Sequence, residues 1–493
     1  MIGLLAFRHL LVRRVRSLVL LGGFGLGVGV MIVLLSVGEA MLAQSRDVSL
    51  VGGGEVTVLP QGVDLDALRT GGMAGMFFGI DRARFVTRGL VGGPRNADVV
   101  AAVSPAIEDQ LLYLCPATGP CDPLTVRAGG EIPSRAAAVG AAIDVVAGRW
   151  EDSPADVAWI APTRDQLYDE LDRFHIPPVS DSTWGEWHYF NVVVGPDEWW
   201  YVTLAIGGEV PDGEWGGGVL VTRHRPDGTV DRFTAGVPSD QVVFDTTAAD
   251  LSIGRSSVSQ TDGVYHVRLD ADTSGRELRG EFVLRPLENR WFPPLELSED
   301  DFISGYVVPA LVATASGRLC LDGSCATLDG AAGYHDHNWG VWRDVSWEWG
   351  AARGAELALL YGGVYGPEET SVTTASPFFL AVLDSLGMRQ VLRFRTIEYQ
   401  GARVATGAPG RPAPDRFLLV AAREADTLRL DVRVDDAQAS PAGTADSLWF
   451  LQMRGRFTAT GMLAGQAVAD TGSGFFETYV PRSGGQANSR RAY

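Results

Sequence analysis

From Trp184 onward the chain is a succession of period-two segments separated by turn dipeptides, and that pattern leaves few folds open. Asp227-Gly228 lies between residues 219–223 and 229–233, and Asp262-Gly263 between 256–260 and 264–269. Asp-Gly supplies the two positive-φ positions of a type I′ hairpin turn. Gly195-Pro196-Asp197 joins 192–194 to 199–206 with a similar signal. Leu278, Gly280, Phe282 and Leu284 alternate with Arg279, Glu281, Val283 and Arg285, as in a strand with one buried face. Further strands are expected at 357–361, 378–383, 391–399, 417–421, 428–434, 448–453 and 475–480. Short strands at such spacing make antiparallel barrels or sandwiches. The one helix candidate here is residues 164–174.

A length of 493 residues accommodates two to four domains, and 46% hydrophobic residues can build packed cores. The net charge of −19 excludes a nucleic-acid surface, which needs a basic patch. The four cysteines form two close pairs, Cys115/Cys121 and Cys320/Cys325. The second pair flanks Leu321-Asp322-Gly323-Ser324. In a two-residue Asp-Gly hairpin, Cys320 and Cys325 face each other as a non-hydrogen-bonded pair, whose short Cα separation suits a disulfide. Paired cysteines point to an oxidising compartment. Buried free thiols or a four-cysteine zinc site are the alternatives, although zinc usually takes tighter spacing.

Arg8, Arg13, Arg14 and Arg16 precede an uncharged run from Ser17 to Val37. That run has the ~20 residues a helix needs to cross a bilayer. The basic flank puts the N-terminus in the cytoplasm and the bulk of the chain in the periplasm or another extracytoplasmic space. A cleaved signal peptide is the competing reading.

The densest chemistry lies in Gly333-Tyr334-His335-Asp336-His337-Asn338-Trp339-Gly340. Two imidazoles, a carboxylate, a carboxamide and a phenol fall within five positions. Flanking it are Trp184-Gly185-Glu186-Trp187-His188-Tyr189-Phe190-Asn191 and Trp347-Glu348-Trp349-Gly350, and ten of the thirteen tryptophans fall between Trp184 and Trp349. An aromatic pocket suits a hydrophobic ligand and stabilises a carbocation through its ring faces. It also raises the pKa of a buried carboxyl. Asp336 is therefore the candidate general acid, with Tyr334, His335, His337 and Asn338 placing the proton or a water. Glu186, Trp187, Tyr189, Trp339, Trp347 and Trp349 are the candidate ligand-binding residues. A satisfied hydrogen-bond network with no ligand is the bland alternative. His335 and His337 share a strand face and could bind one ion. No third ligand stands at a telling spacing, so neither metal nor organic cofactor is expected.

These three blocks resemble the carotenoid 1,2-hydratase (hydroxyneurosporene synthase) family and its secreted AttH-type relatives, over residues 181–480. The resemblance implies a mainly β chain with two tandem antiparallel lipocalin-like barrels, at 175–335 and 336–485. Arg-Arg-Val-Arg-Ser, the apolar helix, Gly54–Pro60 and Ala97–Pro105 resemble the start of MacB/FtsX-type ABC transporter permeases. They imply an anchor at 1–45 and a small mixed α/β periplasmic core remnant at 46–150. The chain lacks the remaining permease helices and cannot form a pore by itself. The function implied is a membrane-anchored protein that binds an isoprenoid or other lipid and hydrates or isomerises an alkene, a carbon–oxygen lyase if an enzyme. The alternative is a non-catalytic lipid-binding accessory to an ABC exporter's ATPase and permease.

Overall fold

The computed structural model describes residues 22–33, 80–91, 94–96, 99–116, 123–140, 151–160, 172–178, 180–299, 302–342, 346–365, 378–394, 396–405, 412–441, 448–481 and 490–492, and single positions 15, 19 and 36. The chain divides into two compact units: Met1–Gly92 with Asn96–Ile160, and Gly93–Arg95 with Ala161–Tyr493.

In the first unit, helix α1 (Ile80–Val91) precedes an antiparallel pair, β1 (Ala106–Leu114) and β2 (Leu124–Glu131). Short helices α2 (Pro133–Ala138) and α3 (Pro154–Ile160) follow. Each opens on a proline, whose fixed φ suits a first helical position and whose missing N–H costs nothing there. Residues 22–33 are helical. No described helix is long and apolar enough to cross a membrane, and the rest of the 17–37 run lies outside the described residues. Cys115 is disulfide-bonded; Cys121 lies outside the described residues.

The second unit is almost entirely antiparallel sheet. Its larger sheet begins with β3 (Trp184–Gly195), β4 (Glu198–Gly208), β5 (Trp215–His224) and β6 (Val230–Pro238). Then come β7 (Val242–Phe244), β8 (Leu251–Ile253), β9 (Ser256–Thr261), β10 (Val264–Thr273) and β11 (Arg276–Pro286). It ends with β12 (Phe292–Glu299), β13 (Phe302–Leu321), β14 (Ser324–Thr327) and β15 (Ala331–Val341). The second sheet holds β16 (Ser346–Gly354), β17 (Ala358–Tyr365), β18 (Phe378–Asp384), β19 (Gly387–Phe394) and β20 (Thr396–Gln400). After the minor pair β21 (Arg403–Val404) and β22 (Pro412–Ala413) it adds β23 (Arg416–Arg423), β24 (Asp426–Pro441), β25 (Leu448–Leu463), β26 (Gln466–Pro481) and β27 (Arg490–Ala492).

The expected hairpins form at their turn signals, with left-handed φ values of 53° at Asp262 and 69° at Gly263. Of the candidate helix, the described residues 172–174 are not helical. The second sheet closes: β19, β18, β17, β16, β26, β25, β24 and β23 follow in order, and β23 pairs back to β19. This is an eight-stranded antiparallel barrel. The larger sheet runs β6-β5-β4-β3-β15-β13-β11-β10-β9-β8-β7, with β12 and β14 attached to β13. Its end strands β6 and β7 have no described pairing with each other. Two tandem closed barrels were expected; among the described residues one barrel closes, and the larger sheet instead wraps a core to which its end strands contribute Phe233 and Val242.

Between the sheets lies a third apolar cluster. Tyr189, Tyr201, Tyr306 and Tyr334 come to it from the larger sheet, and Trp349, Leu360, Phe379 and Phe475 from the barrel. Phe292 and Phe379 stack across this seam with centroids 5.0 Å apart.

Cys320 and Cys325 are bonded, with Cα atoms 4.0 Å apart, across a turn whose Asp322 and Gly323 have φ of 52° and 78°. β13 runs straight from this hairpin to the strand pair that holds the site. A Cys320→Ser/Cys325→Ser double variant should lose about 2 kcal/mol, the loop-closure entropy of so short a ring. Chemical unfolding of the two proteins measures it, and equal midpoints would show that the bridge does not stabilise the fold.

Candidate active site

β15 is a central strand, antiparallel to β3 on one side and β13 on the other. Successive side chains on a strand point to opposite faces. The motif is therefore two half-sites back to back. Tyr334, Asp336 and Asn338 face the seam between the sheets, while His335, His337 and Trp339 face the interior of the larger sheet. The aromatic block on β3 is divided by the same register. Tyr189 pairs with Asp336 and Trp187 with Asn338; His188 pairs with His337 and Glu186 with Trp339. Residues directly opposite on paired strands share a face.

On the seam face lies a cleft of about 180 Å³. Trp187, Tyr189, Asp336, Asn338, Trp347 and Trp349 line it, with Tyr306 from β13 and Phe450, Gln452 and Glu477 from the barrel. Asp336 is 2% exposed. Tyr334 donates to its Oδ2 at 2.5 Å, Asn338 Nδ2 to Oδ1 at 2.6 Å, and Trp349 Nε1 to Oδ2 at 3.2 Å. Burial pushes the Asp336 carboxyl up; the Tyr334, Asn338 and Trp349 donors oppose that rise and the nearby Glu477 adds to it, leaving it at about 8. Burial also raises the Tyr334 and Tyr189 hydroxyls far above the ordinary tyrosine value, so both phenols stay protonated and donate.

Glu477 is the second carboxyl of the cleft, 7% exposed. Gln452 Nε2 donates to it at 3.0 Å, and Tyr189 OH and Trp347 Nε1 each at 3.3 Å. Its pKa is raised by burial against those three donors. Two buried carboxyls with raised pKa values facing one cleft make this a candidate functional site. A larger depression of about 490 Å³ on the barrel, lined by Arg353, Arg456 and Thr458, is open to solvent.

The interior face is built differently. Asp172, Glu186, His188, His335 and His337 are all 0% exposed. Asp172 Oδ1 meets His337 Nδ1 at 2.5 Å, and its Oδ2 meets His335 Nε2 at 3.1 Å and accepts from Tyr265 OH at 2.5 Å. Glu186 accepts the backbone N–H of His175 and lies 2.7 Å from its Nδ1. Burial opposes the charge of Asp172, but the imidazoles around it hold its carboxyl well below the usual range. Burial likewise opposes charge on His337, and Asp172 with Glu186 outweighs it, lifting the ring to about 9. Burial prevails at His188, whose pKa falls well below the ordinary value.

Of the residues singled out in the sequence, Asp336, Tyr334, Asn338, Trp187, Tyr189, Trp347 and Trp349 thus come together at the cleft. His335, His337, Glu186 and Trp339 do not; they point the other way. Trp339 stacks on His175 with centroids 4.1 Å apart and donates to Glu296 at 2.8 Å. It fits only because position 305 is glycine, where a Cβ would stand 2.1 Å from its ring. Sequence reasoning missed Glu477, Gln452 and Phe450, which no motif marks and which lie over a hundred residues downstream. It also missed Asp172 and His175.

No family model matches the chain, and no curated protein does either. Several solved structures are similar. CghA with Sch210972 aligns at 15% identity and a TM-score of 0.45, over 66% of this chain and 97% of the other. An AttH from Nitrosomonas europaea aligns at 16% identity and 0.43, over 60% and 92%. Kievitone hydratase from Nectria haematococca aligns at 12% and 0.41, over 62% and 95%. The permease resemblance of the N-terminal region finds no support in these matches. Likenesses at such scores fix neither a family nor an activity for this chain.

Proposed function

We propose that the cleft between the two sheets performs acid–base chemistry on the alkene end of a hydrophobic, isoprenoid-like lipid, adding water across the double bond or shifting it. The observation that carries this is the convergence of Tyr334, Asn338 and Trp349 on one buried carboxyl, Asp336, in an aromatic cleft. At about 180 Å³ the space falls below the ~300–1,000 Å³ of a pocket that encloses a whole drug-sized ligand. It suits the reacting end of a longer molecule.

In this mechanism Asp336 gives its proton to one alkene carbon, and the positive charge left on the neighbouring carbon is shielded by the surrounding rings. Water then adds to the cation and passes a proton to the Glu477 carboxylate; proton exchange with solvent resets both groups. Loss of a proton from an adjacent carbon instead gives the isomer. Tyr334, Asn338 and Trp349 position Asp336, and Tyr189, Trp347 and Gln452 position Glu477. The chain's disulfide supports an oxidising, extracytoplasmic location for this chemistry, with residues 17–37 as the proposed membrane anchor.

The test is incubation of the full chain with a panel of polyisoprenoid alkenes in ¹⁸O-labelled water and in D₂O, read by mass spectrometry. A labelled hydrate or deuterium incorporation at carbon is expected. Tight binding of panel members with no label in either solvent would leave a lipid-binding protein without turnover.

Because Asp336 must be protonated and Glu477 ionised, turnover should fall tenfold per unit above about pH 8, following the Asp336 carboxyl, and should fall again in acid as Glu477 takes up a proton. The same shift has a stability sign. Between the ordinary aspartate value and about 8 the folded chain holds one more proton at this group than the unfolded chain. Stability from this group is therefore largest in acid and declines as pH rises through that window. A pH–rate profile that is flat from 6 to 10 would exclude Asp336 as the acid. Glu477→Gln should lower turnover roughly tenfold to a hundredfold with ligand affinity nearly unchanged, as measured by single-turnover kinetics.

A further inference from the structure

The interior face of β15 holds more lone pairs than protons comfortably satisfy. His188 Nε2 lies 2.9 Å from the Ala249 carbonyl, which only accepts, so Nε2 carries the proton and Nδ1 the lone pair. Among the described residues that Nδ1 has no hydrogen-bond partner, and it stands 3.9 Å from Asp172 Oδ1 in a fully buried ring. His337 Nδ1 is 2.5 Å from Asp172 Oδ1, and its Nε2 lies 3.0 Å from Glu186 Oε1 as a close ion-pair contact without hydrogen-bond geometry. His335 is between acceptors on both sides, with Nδ1 3.1 Å from the Tyr189 carbonyl and Nε2 3.1 Å from Asp172 Oδ2. A neutral imidazole has one N–H, so neutral rings leave electron pairs facing a carboxylate. A charged His337 meets Asp172 through Nδ1, yet the His188 Nδ1 lone pair still faces that carboxylate, and charging His188 as well would set two imidazolium rings 4.5 Å apart in a dry interior.

We propose that Asp172 Oδ1, His188 Nδ1 and His337 Nδ1 bind a zinc-class divalent cation. These atoms all lie within 4.8 Å of one another. Zinc bonds of ~2.0–2.2 Å place ligand atoms about 3.4 Å apart. The separations of 2.5 and 3.9 Å from Asp172 Oδ1 bracket that value. Two imidazoles and a carboxylate are zinc's usual donors. The outer partners are those that ligating histidines take: a backbone carbonyl behind His188 and a carboxylate behind His337. Two buried carboxylates, Asp172 and Glu186, match the charge of one divalent ion. All three donors are fully buried on the face of β15 away from the cleft, which assigns the ion a structural role. It ties the 172–178 segment to β3 and β15, and so stiffens from behind the strand that presents Asp336 to the cleft.

The test uses the full chain, extracted in detergent without a polyhistidine tag, after growth with zinc or with cobalt. Elemental analysis should find about one zinc per chain, and the cobalt form should show visible d–d bands of a low-symmetry nitrogen–oxygen site. His188→Gln should lower metal content at least about tenfold while keeping the far-ultraviolet circular dichroism. If that variant does not fold, the wild-type stoichiometry and cobalt spectrum decide alone. Wild-type protein holding less than about a tenth of an equivalent of either metal, with no d–d bands, would overturn the site. So would a folded His188→Gln that keeps full metal content.

Discussion

Asp336→Asn should abolish turnover, by roughly 10²- to 10⁴-fold, the range expected for removing a general acid. Ligand affinity should change by less than about tenfold, or ~1.4 kcal/mol, because shape and most hydrogen bonds are kept. The fold should tolerate the change. Asp336 faces Tyr334, Asn338 and Trp349, and among the described residues no imidazole hydrogen-bonds to it. An asparagine amide presents one N–H₂ to a ring of donors, so a loss of about 1–2 kcal/mol is expected. Equilibrium unfolding and binding measured on one preparation separate these effects. A variant that melts several kcal/mol early would mean that Asp336 is structural. A variant that forms product at the wild-type rate would remove the acid role altogether.

Asp172→Ala should have the largest effect on stability. It takes away the one carboxylate that His335, His337 and Tyr265 all contact, at a position that is 0% exposed. Breaking a buried charge network from one side costs about 3–5 kcal/mol, since the partners stay buried without their counter-charge. For a unit of this size that is on the order of 10 °C in melting temperature. The loss should be felt at the cleft too, because His335 and His337 are the immediate neighbours of Asp336 on β15. Differential scanning calorimetry checks the first part. A change under 1 kcal/mol would show that the 172–178 segment docks by apolar contacts, such as Phe174 on His188 and His337, and that the network contributes little.

The strand content, the hairpin turns and the Cys320–Cys325 bridge were legible in the sequence because they are local. Asp-Gly sets its own turn, and the turn sets which cysteines face each other, without help from the rest of the fold. Asp336 stands out in the sequence for a similar reason, as a carboxylate amid tyrosine, histidine, asparagine and tryptophan, and its role as the acid is the proposal tested above. Period two even implied that Tyr334, Asp336 and Asn338 share one face and His335 and His337 the other. Grouping all five as one site overlooked that alternation.

What the sequence by itself determined, then, was the mainly β class of fold, the bridged hairpin and the strand that carries the candidate site. The tertiary structure alone decided which face of that strand meets which partner. Closure of one barrel, the register of β3 on β15, and the arrival of Glu477 from β26 and Asp172 from ahead of β3 all depend on contacts between distant segments. Such contacts leave no periodicity in the chain. They are chosen by the burial of whole sheet faces against each other, an energy that belongs to the packed assembly and to no local stretch.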